Sequence, residues 1–377
     1  MLKPASSQCN LACRYCYYLK PGKHDDVMSD ELLELFTRQY IEAQTQHEVL
    51  FTWHGGEPLL RPRSFYEKAL ALQRRYARGH QIDNCLQTNG TLLTDEWCRF
   101  LKDNNFLVGI SIDGPQAMHD AYRQTRGGLP TWEKVMQGIR LLQKHGVDWN
   151  AMATVNRLNA EHPVTFYRFF KDIGCEFLQF TPVVERIGGE VTDYSVTPEQ
   201  WGRFLCELYD EWVREDVGRV FVQTFDATLA NWAGVPPGIC SLSSMCGHAA
   251  AMEFNGDVYS CDHFVFPEHL LGNIRQQTLT ELLYGERQQA FSRKKDHALP
   301  RQCRECRFLF ACHGECPKNR FTTDRYGEAG LNYLCEGYRR FFAHVASDMD
   351  FMKGELDAGR APMNIMEQKK SGSNRPR

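Results

Sequence analysis

The stretch Cys9-Asn10-Leu11-Ala12-Cys13-Arg14-Tyr15-Cys16 carries three thiols in the spacing CxxxCxxC. Soft thiolate ligands of this kind select iron–sulfur clusters or zinc. Structural zinc needs a fourth ligand, so a zinc knuckle would have to be completed by His24 or by a more distant residue. A four-iron cluster held by only three cysteines keeps one iron open for a substrate or cofactor. The stretch therefore favours a cluster with one open iron.

The composition around this stretch is that of an ordinary globular protein. The chain has 377 residues, of which 42% are hydrophobic and 12% aromatic, and its formal net charge is -3. Its basic residues are scattered, so we expect neither a nucleic-acid partner nor a membrane-surface partner. The N-terminus has no apolar leader core and no later stretch reaches the roughly 18 apolar residues of a membrane helix, which predicts a cytoplasmic protein. In a reducing cytoplasm, metal ligation is the leading explanation for clusters among the 15 cysteines.

Downstream of the first cysteines, short β-rich runs alternate with amphipathic segments as far as about residue 180, which is typical of βα units and a parallel sheet. The fold class is therefore predicted to be α/β. The predicted strands are a stub at Leu2-Lys3, Val49 to Trp53, Ile82 to Gln87, Leu107 to Ile112, Trp149 to Val155 and Phe177 to Phe180. The predicted helices run from a cap at Ser29 or Asp30 through Ala43, Ser64 to Tyr76, Thr94 to Lys102, Trp132 to His145 and Pro163 to Ile173.

Polar or glycine-containing turns follow the predicted strands. Reactive groups of parallel sheets gather at the carboxyl ends of the strands, so these turns should meet in one active site. The turns are Cys9 to Cys16 after the stub, His54-Gly55-Gly56-Glu57-Pro58, Gln87-Thr88-Asn89-Gly90 and Ser111-Ile112-Asp113-Gly114-Pro115.

A second group of cysteines lies beyond about residue 230, where glycines and prolines interrupt the βα pattern. Eight thiolates suffice for two closed four-cysteine clusters, which would transfer electrons or support structure, and two zinc sites are the alternative. We predict domains over residues 1–230 and 231–345, followed over 346–377 by a C-terminal helix and a tail that is disordered from about Gln368. The later cysteines are Cys240, Cys246, Cys261, Cys303, Cys306, Cys312, Cys316 and Cys335.

The first cysteines, with Tyr15 before the last of them and Gly55-Gly56-Glu57 after a strand, resemble the signature of the radical S-adenosylmethionine superfamily. The resemblance implies a partial (β/α)6 TIM-like barrel over residues 1–230, whose open iron chelates S-adenosylmethionine. It also implies a 5′-deoxyadenosyl radical that removes hydrogen from a substrate. The cofactor-binding residues it implies are Tyr15, Gly55, Gly56, Glu57, Ser111, Arg123 and Val184.

The later cysteines resemble the SPASM extension, and the chain from about Leu2 to Cys335 resembles anaerobic sulfatase-maturating enzymes. The similar stretches are Lys3-Pro4-Ala5-Ser6-Ser7, Leu86-Gln87-Thr88-Asn89-Gly90-Thr91, Phe177-Leu178-Gln179-Phe180, Asp257-Val258-Tyr259-Ser260-Cys261-Asp262 and Leu271-Gly272-Asn273-Ile274. The resemblance implies three [4Fe-4S] clusters, of which two are auxiliary and lie in a SPASM-type domain over residues 231–345. The implied auxiliary ligand sets are Cys240, Cys246, Cys261 and Cys316 for one cluster, and Cys303, Cys306, Cys312 and Cys335 for the other.

In such enzymes a Cys or Ser side chain of a sulfatase polypeptide is oxidised to Cα-formylglycine under anaerobic conditions. The resemblance implies that Asp262 accepts the proton, that Tyr18 and His54 line the substrate pocket, and that flavodoxin or ferredoxin donates electrons. His54 stands where glutamine is expected, and a histidine changes its charge near neutral pH. That departure leaves the choice between a Cys and a Ser target open.

Two other functions remain compatible with the cysteines. A SPASM peptide maturase that forms a thioether or another crosslink in a ribosomal peptide would use the same clusters, because fold does not determine function. Such enzymes often carry a peptide-recognition domain before the radical core, whereas this chain reaches Cys9 at once. A zinc-stabilised protein-interaction module is the alternative without catalysis.

Overall fold

The computed structural model describes residues 1–18 and 26–372, with side chains to residue 370. His24 lies outside the described residues. The chain divides into two compact units, each built from several segments. The first unit contains Met1–Ile112, His119–Asn150 and Gly247–Ser292, and the second contains Asp113–Met118, Ala151–Cys246 and the chain from Arg293 onward. The division at residues 230 and 345 stays a prediction.

Fourteen strands and fourteen α-helices are described. The strands are β1 (Leu2–Lys3), β2 (Glu48–Trp53), β3 (Gln81–Thr88), β4 (Phe106–Ser111), β5 (Trp149–Val155), β6 (Phe177–Pro182), β7 (Arg186–Ile187), β8 (Glu190–Val191), β9 (Phe221–Val222), β10 (Ala251–Glu253), β11 (Asp257–Tyr259), β12 (Leu270–Asn273), β13 (Thr322–Thr323) and β14 (Ala329–Leu331). The helices are α1 (Asp30–Glu42), α2 (Arg63–Tyr76), α3 (Asp95–Asp103), α4 (Gln116–Asp120), α5 (Trp132–His145), α6 (Pro163–Asp172), α7 (Pro198–Glu215), α8 (Gln223–Trp232), α9 (Leu279–Tyr284), α10 (Glu286–His297), α11 (Arg301–Arg304), α12 (Leu309–Cys312), α13 (Cys335–Asp357) and α14 (Ile365–Gly372).

The βα alternation predicted from the sequence is confirmed, because every predicted strand and helix is present with bounds shifted by at most a few residues. Local chemistry explains the agreement. The Ser29 hydroxyl accepts a hydrogen bond from the backbone N–H of Leu32 and so caps α1. Helix α5 ends at Gly146, whose φ of 63° is the left-handed conformation that glycine adopts without steric cost.

The sheet of the first unit has the strand order β12-β11-β10-β1-β2-β3-β4. Strands β1 to β4 are parallel, and β10 also runs parallel to β1, with Leu2 paired to both Trp53 and Met252. The three antiparallel strands β10, β11 and β12 were not predicted. Strand β10 pairs with β1, which brings Glu253 and Asp262 beside Lys3. In the second unit, β5, β6 and β9 pair in parallel.

The C-terminal region differs from the prediction. Residues 368–372 belong to helix α14 rather than to a disordered tail, and residues 373–377 lie outside the described part of the chain. The Lys369 ammonium lies 2.7 Å from a carboxylate oxygen of Asp348 on α13, which ties α14 to that helix. No helix within residues 1–18 and 26–372 combines the length and apolarity needed to cross a bilayer.

Helices α7 and α13 cross at two glycines in the second unit. A Cβ on Gly337 would lie 2.4 Å from the carbonyl oxygen of Pro198 and 3.0 Å from the backbone nitrogen of Gly202. A Cβ on Gly202 would lie 2.8 Å from the Cα of Gly337. Because these contacts are with backbone atoms, a larger residue can fit only if the helices move apart.

We therefore expect Gly337→Ala to lower the free energy of unfolding by about 1–3 kcal/mol, measured by denaturant titration of the cluster-free chain. Gly354→Ala, in the same helix α13, is the matched control because no atom lies within 4 Å of its added Cβ. The control should be neutral or stabilising by up to about 1 kcal/mol, since alanine favours helix. Equal effects of the two substitutions would contradict the crossing as described.

Candidate active site

The first cysteines lie in a loop after β1 that is bound to the segment around Tyr122. Ala12 donates its backbone N–H to the carbonyl oxygen of Gln124 over 2.8 Å, and Arg14 donates to that of Tyr122 over 2.9 Å. Within the loop, Cys16 donates its backbone N–H to the carbonyl oxygen of Cys13 over 3.1 Å. The loop is therefore held in one conformation by its backbone.

The thiol of Cys9 is surrounded by donors and by the other two thiols. The backbone N–H of Leu11 lies 3.4 Å from its Sγ, and Nδ2 of Asn89 lies 3.7 Å from it. Burial raises the pKa of Cys9 to about 12, and Glu57, Cys13 and Cys16 add to the rise. A buried thiolate group of this kind needs a positive partner, which cluster iron provides. The three thiols fit a cluster with three protein ligands.

The Gly55-Gly56-Glu57 turn packs against the strand-to-loop connection before Cys9. Gly56 donates its N–H to the carbonyl oxygen of Ser6 over 2.9 Å, and Glu57 donates to that of Gln8 over 2.7 Å. A Cβ on Gly56 would lie only 1.9 Å from the carbonyl oxygen of Gln8. Gly55 and Gly56 are implied cofactor contacts, and the close approach that the structure shows at Gly56 is to the chain itself.

The carboxylate of Glu57 is buried and fully engaged. It accepts hydrogen bonds from the backbone N–H of Leu59 (2.9 Å), the hydroxyl of Thr88 (2.7 Å) and the backbone N–H of Asn89 (2.8 Å). Burial raises the pKa of Glu57 to about 7, against the effect of these donors. The side chain thus joins the turn after β2 to the end of β3.

Asn89 links the end of β3 to the cysteine loop. Its Nδ2 donates to Oδ1 of Asn10 over 2.8 Å, and Nδ2 of Asn10 donates to the hydroxyl of Thr91 over 2.8 Å. The Thr91 hydroxyl donates back to Oδ1 of Asn89 over 2.7 Å, which closes a ring of hydrogen bonds. The ring fixes the position of the loop between Cys9 and Cys13 relative to β3.

Two further residues implied as cofactor contacts lie together. The guanidinium carbon of Arg123 is 5.5 Å from the ring centroid of Tyr15, and the Arg123 side chain is buried. The hydroxyl of Ser111, at the end of β4, accepts a hydrogen bond from Nε2 of Gln87 over 3.0 Å. Val184 is buried in the second unit, after β6.

A buried charge network lies beside β1. The Lys3 ammonium is 2.5 Å from Oδ1 of Asp262, an ion pair that is not aligned as a hydrogen bond, and 3.9 Å from the Glu253 carboxylate. It also lies 3.5 Å from the ring centroid of Tyr18, whose hydroxyl donates to both Glu253 carboxylate oxygens over 2.6 and 2.7 Å. The Tyr17 hydroxyl donates a short hydrogen bond to Oδ2 of Asp262.

This network controls the charge of Asp262. Burial would raise the pKa of its carboxyl, but the nearby Lys3 ammonium, His54 and the Tyr17 hydroxyl outweigh burial and hold the pKa well below its ordinary value. Burial lowers the pKa of His54. Nδ1 of His54 accepts the N–H of Gly55 over 2.7 Å, so a neutral ring carries its proton on Nε2. The structure thus places His54 and Tyr18 in the same unit as the ionised carboxylate of Asp262, with Lys3 next to both Tyr18 and Asp262.

Lys3, Tyr17 and Glu253 are residues that reasoning from the sequence missed. Lys3 was predicted to lie in the first strand and in a stretch similar to the family, without a role of its own, and Glu253 lies in the unpredicted strand β10. One signal was available for Lys3, because a lysine in a buried two-residue strand must be paired with an acid. Nothing in the sequence identified the acid, which is 250 or more positions away along the chain.

The second unit holds most of the later cysteines. Burial raises the pKa of Cys335 to about 12 and that of Cys312 further, with Cys303 adding to both. Among the described residues, no three His, Cys, Asp or Glu side chains are close enough to hold a single metal ion. One small cavity, of about 30 Å³, is lined by all four cysteines of the second implied set, Cys303, Cys306, Cys312 and Cys335, and by apolar residues that include Phe308, Leu309 and Phe342.

The other implied set is divided between the units. Cys240, Cys246 and Cys316 belong to the second unit and share one electrostatic neighbour, the ammonium of Lys295. Cys261 belongs to the first unit, adjacent in sequence to Asp262. The remaining cysteines, Cys85, Cys98, Cys175 and Cys206, have no assigned chemistry, and burial raises the pKa of each of them.

Comparison with known proteins assigns the chain to a family. The model of the radical SAM superfamily matches residues 4–170, and that of the SPASM iron–sulfur cluster-binding domain matches residues 244–307. A serine-type anaerobic sulfatase-maturating enzyme from Bacteroides thetaiotaomicron is 60% identical over 99% of this chain and 95% of its own. A serine-type enzyme from Klebsiella aerogenes is 38% identical over 96% of this chain and 88% of its own. A cysteine-type enzyme from Clostridium perfringens is 34% identical over 92% of this chain and 95% of its own.

Solved structures agree with this assignment. The enzyme anSMEcpe with bound AdoMet superposes with a TM-score of 0.86 at 33% identity, covering 94% of this chain and 98% of that one, and it has also been solved with AdoMet and the Cp18Cys peptide. Streptococcus suis SuiB, at 14% identity and a TM-score of 0.61, shares the fold. The predicted fold class, a partial (β/α)6 barrel with a SPASM-type extension, is confirmed by these matches.

Because the Glu57 carboxylate accepts three hydrogen bonds, its replacement by a neutral amide should destabilise the protein. In Glu57→Gln, the amide NH₂ would point at one of the three groups that now donate a hydrogen bond to the carboxylate. That donor would lose its acceptor in a buried site, so the free energy of unfolding should fall by about 1–3 kcal/mol. Glu67→Gln is the control, because Glu67 is half exposed and, among the residues that the structure describes, forms an ion pair only with Arg63 at i,i+4. It should change stability by about 0.5 kcal/mol or less. Denaturant titration of both variants is the measurement, and an unaffected Glu57→Gln variant would refute the structural role.

Proposed function

Because this chain belongs to the anaerobic sulfatase-maturating enzymes of the radical S-adenosylmethionine superfamily, we propose that its target is a serine. Members of this family oxidise a cysteine or serine side chain of a sulfatase to Cα-formylglycine, and this chain does so with S-adenosylmethionine and three [4Fe-4S] clusters. The crosslinking maturase and the zinc module are set aside in favour of this function.

The relatives support serine over cysteine. Identity is 60% to a serine-type enzyme and 34% to a cysteine-type enzyme, each over more than nine-tenths of the chain. The two targets differ chemically, because a thiol is acidic enough to lose its proton readily and an alcohol is not. A serine target therefore makes stronger demands on the base of the site. The identity difference is the observation that carries the proposal.

When bound, the cofactor and its cluster supply a radical that removes one hydrogen atom from the serine β-carbon, and the auxiliary clusters supply an acceptor for the second electron. The chain's own part is to hold these groups. We assign Cys9, Cys13 and Cys16 to the cluster with an open iron. The auxiliary ligands in the proposal are Cys240, Cys246, Cys261 and Cys316 for one cluster, and Cys303, Cys306, Cys312 and Cys335 for the other.

The cofactor contacts are proposed around the same loop. Arg123 is the residue for the methionyl carboxylate, because a buried guanidinium pairs with a carboxylate through two parallel hydrogen bonds. Tyr15 packs beside it, and the backbone of the Gly55-Gly56 turn offers carbonyl oxygens to an amino group. Ser111 and the backbone of Val184 complete the set. Glu57 acts as a positioning residue, since its own oxygens are occupied.

Asp262 is the proposed base. After loss of one hydrogen atom, the substrate carbon still carries a hydroxyl, and the aldehyde forms when that group loses a proton and the carbon loses an electron. Tyr17 and Lys3 hold the Asp262 carboxylate in place as an anion, free of a proton before reaction. Tyr18 and His54 are proposed to line the pocket for the peptide, with His54 Nε2–H as a donor.

The proposed partners follow from the electron balance. Cleavage of the cofactor consumes one electron, which flavodoxin or ferredoxin would provide, and oxidation of the substrate carbon returns one. The substrate is a sulfatase polypeptide, and peptide-bound structures exist for anSMEcpe. The cytoplasm is the proposed place of action, because its reducing conditions keep cysteine thiols available to iron.

Matched peptides test the choice of target. Two sulfatase peptides that differ only in Ser or Cys at the modified position are incubated anaerobically with the reconstituted, reduced enzyme and S-adenosylmethionine. We expect the serine peptide to lose two hydrogens by mass spectrometry, at a rate at least equal to that of aldehyde formation from the cysteine peptide. Aldehyde from the cysteine peptide alone would refute the serine assignment, and a crosslinked product without aldehyde would refute the function.

Replacement of the base separates hydrogen abstraction from proton loss. Asp262→Asn should keep the iron content of the parent and still form 5′-deoxyadenosine, but aldehyde formation should fall by about 100-fold or more. Glu268→Gln is the matched control, because this carboxylate is exposed six positions away, and its activity should equal that of the parent. Unchanged aldehyde formation by Asp262→Asn would remove Asp262 from this role.

A further inference from the structure

The second unit buries a lysine whose ammonium is bound by backbone carbonyl oxygens rather than by a carboxylate. Lys295 lies in α10 with 1% of its surface exposed, while the adjacent Lys294 is exposed. Its Nζ donates a short hydrogen bond to the carbonyl oxygen of Cys240 and one of 2.8 Å to that of Ser241. Within the part of the chain that the structure describes, Lys295 forms no ion pair with an acidic side chain. Buried lysines are rare without such a partner, so this charge needs another source of compensation.

The ammonium is close enough to three cysteines to interact with them electrostatically, and it binds the backbone of one of them, Cys240. Cys246, Cys316 and Cys240 are its electrostatic neighbours, together with the carboxyl of Glu315. Glu315 is itself bound to Asn332, whose Nδ2 donates a hydrogen bond of 2.7 Å to its Oε2. The charge of the lysine is therefore compensated by Glu315 and by the cysteine set, whose ligand thiolates and cluster would carry negative charge.

The lysine is also fixed in place. The Arg320 guanidinium donates to the carbonyl oxygen of Lys295 and, over 2.7 Å, to that of His313. It also donates over 2.8 Å to the carbonyl oxygen of Gly314, next to the loop that carries Cys316. Helix α10 and the loop 313–316 are thereby joined by one side chain. These contacts hold the backbone of Lys295, and the carbonyl oxygens of Cys240 and Ser241 hold its ammonium.

The reduction potential of an iron–sulfur cluster depends on its net charge, on hydrogen bonds and on burial. Reduction adds one negative charge, and a fixed cation nearby stabilises the reduced form more than the oxidised form. The effect is strong where water is excluded, because the effective dielectric constant is low. A buried ammonium near these three cysteines would therefore raise the potential of a cluster that they hold.

We propose that Lys295 is a positioning residue that sets the reduction potential of the auxiliary cluster held by Cys240, Cys246 and Cys316, so that this cluster accepts the electron leaving the substrate. The inference rests on the proposed function, which assigns these cysteines to a cluster. In the step, the substrate carbon radical loses one electron to the oxidised cluster and one proton to the base, and a carbon–oxygen double bond forms. The reduced cluster then passes its electron to a one-electron carrier of the flavodoxin or ferredoxin class.

The test measures potential rather than turnover. The full-length chain with Cys9, Cys13 and Cys16 replaced by alanine is reconstituted anaerobically, which leaves the two auxiliary clusters to be titrated by EPR spectroscopy against solution potential. Lys295→Gln keeps a hydrogen-bond donor without the charge, and Lys295→Arg keeps the charge. Lys294→Gln is the matched control, because it removes an exposed positive charge one position away.

We expect Lys295→Gln to move the midpoint of one cluster to a more negative potential and to leave the other unchanged. Lys295→Arg and Lys294→Gln should keep both parental midpoints. Parental midpoints in Lys295→Gln would overturn the inference, as would loss of the same cluster from both Lys295 variants, which would make the residue purely structural. A parent that binds fewer than two clusters, recognised from its iron and sulfide content before titration, would instead overturn the cluster assignment.

Discussion

The parallel pairing of the two-residue strand β1 with β2 on one side and β10 on the other is the constraint on which the site of the first unit depends. Leu2 pairs with both Trp53 and Met252. Because β1 ends at Lys3, the backbone leaves the sheet beside the Gly55-Gly56 turn, where Gln8 approaches so closely that no side chain fits on Gly56. The cysteine loop therefore begins at a position determined by neighbours on both sides. Every later contact of that loop follows from this placement.

Buried charge is the second constraint, and the two units meet it differently. Lys3 lies between the carboxylates of Asp262 and Glu253, so its desolvation is offset by two anions and a tyrosine ring. Lys295 is bound by two backbone carbonyl oxygens, and three cysteines and Glu315 are its electrostatic neighbours. Lys3 keeps the Asp262 carboxylate ionised, whereas Lys295 places a positive charge near the cysteines proposed to hold an auxiliary cluster. Each lysine therefore lies next to a group that is negatively charged in the proposed reaction.

The agreement between sequence and structure is best for features that repeat locally. The bounds of β5 and α5 agree with the predicted bounds, since alternation and capping depend on residues within one or two turns. The role of Gly55 and Gly56 as cofactor contacts stays a prediction, and the structure adds that the chain itself approaches Gly56 closely. Glu57 was expected among the cofactor contacts, yet its oxygens are occupied by Leu59, Thr88 and Asn89. Helix α14 extends into residues whose polar composition indicated disorder, since its packing against α13 outweighs that composition.

Three properties could be predicted from the amino-acid sequence alone: the cysteine site at the N-terminus, the alternation of strands and helices, and the family of the chain. Each depends on short stretches of sequence, so it can be recognised without knowing which distant segments pack together. The pairing of Lys3 with Glu253 and Asp262, and the position of Lys295 near Cys246 and Cys316, became visible only in the folded chain. Such pairs depend on the order of strands in the sheet and on the packing of helices. Their importance comes from burial, because water removed on folding no longer screens the charges that remain.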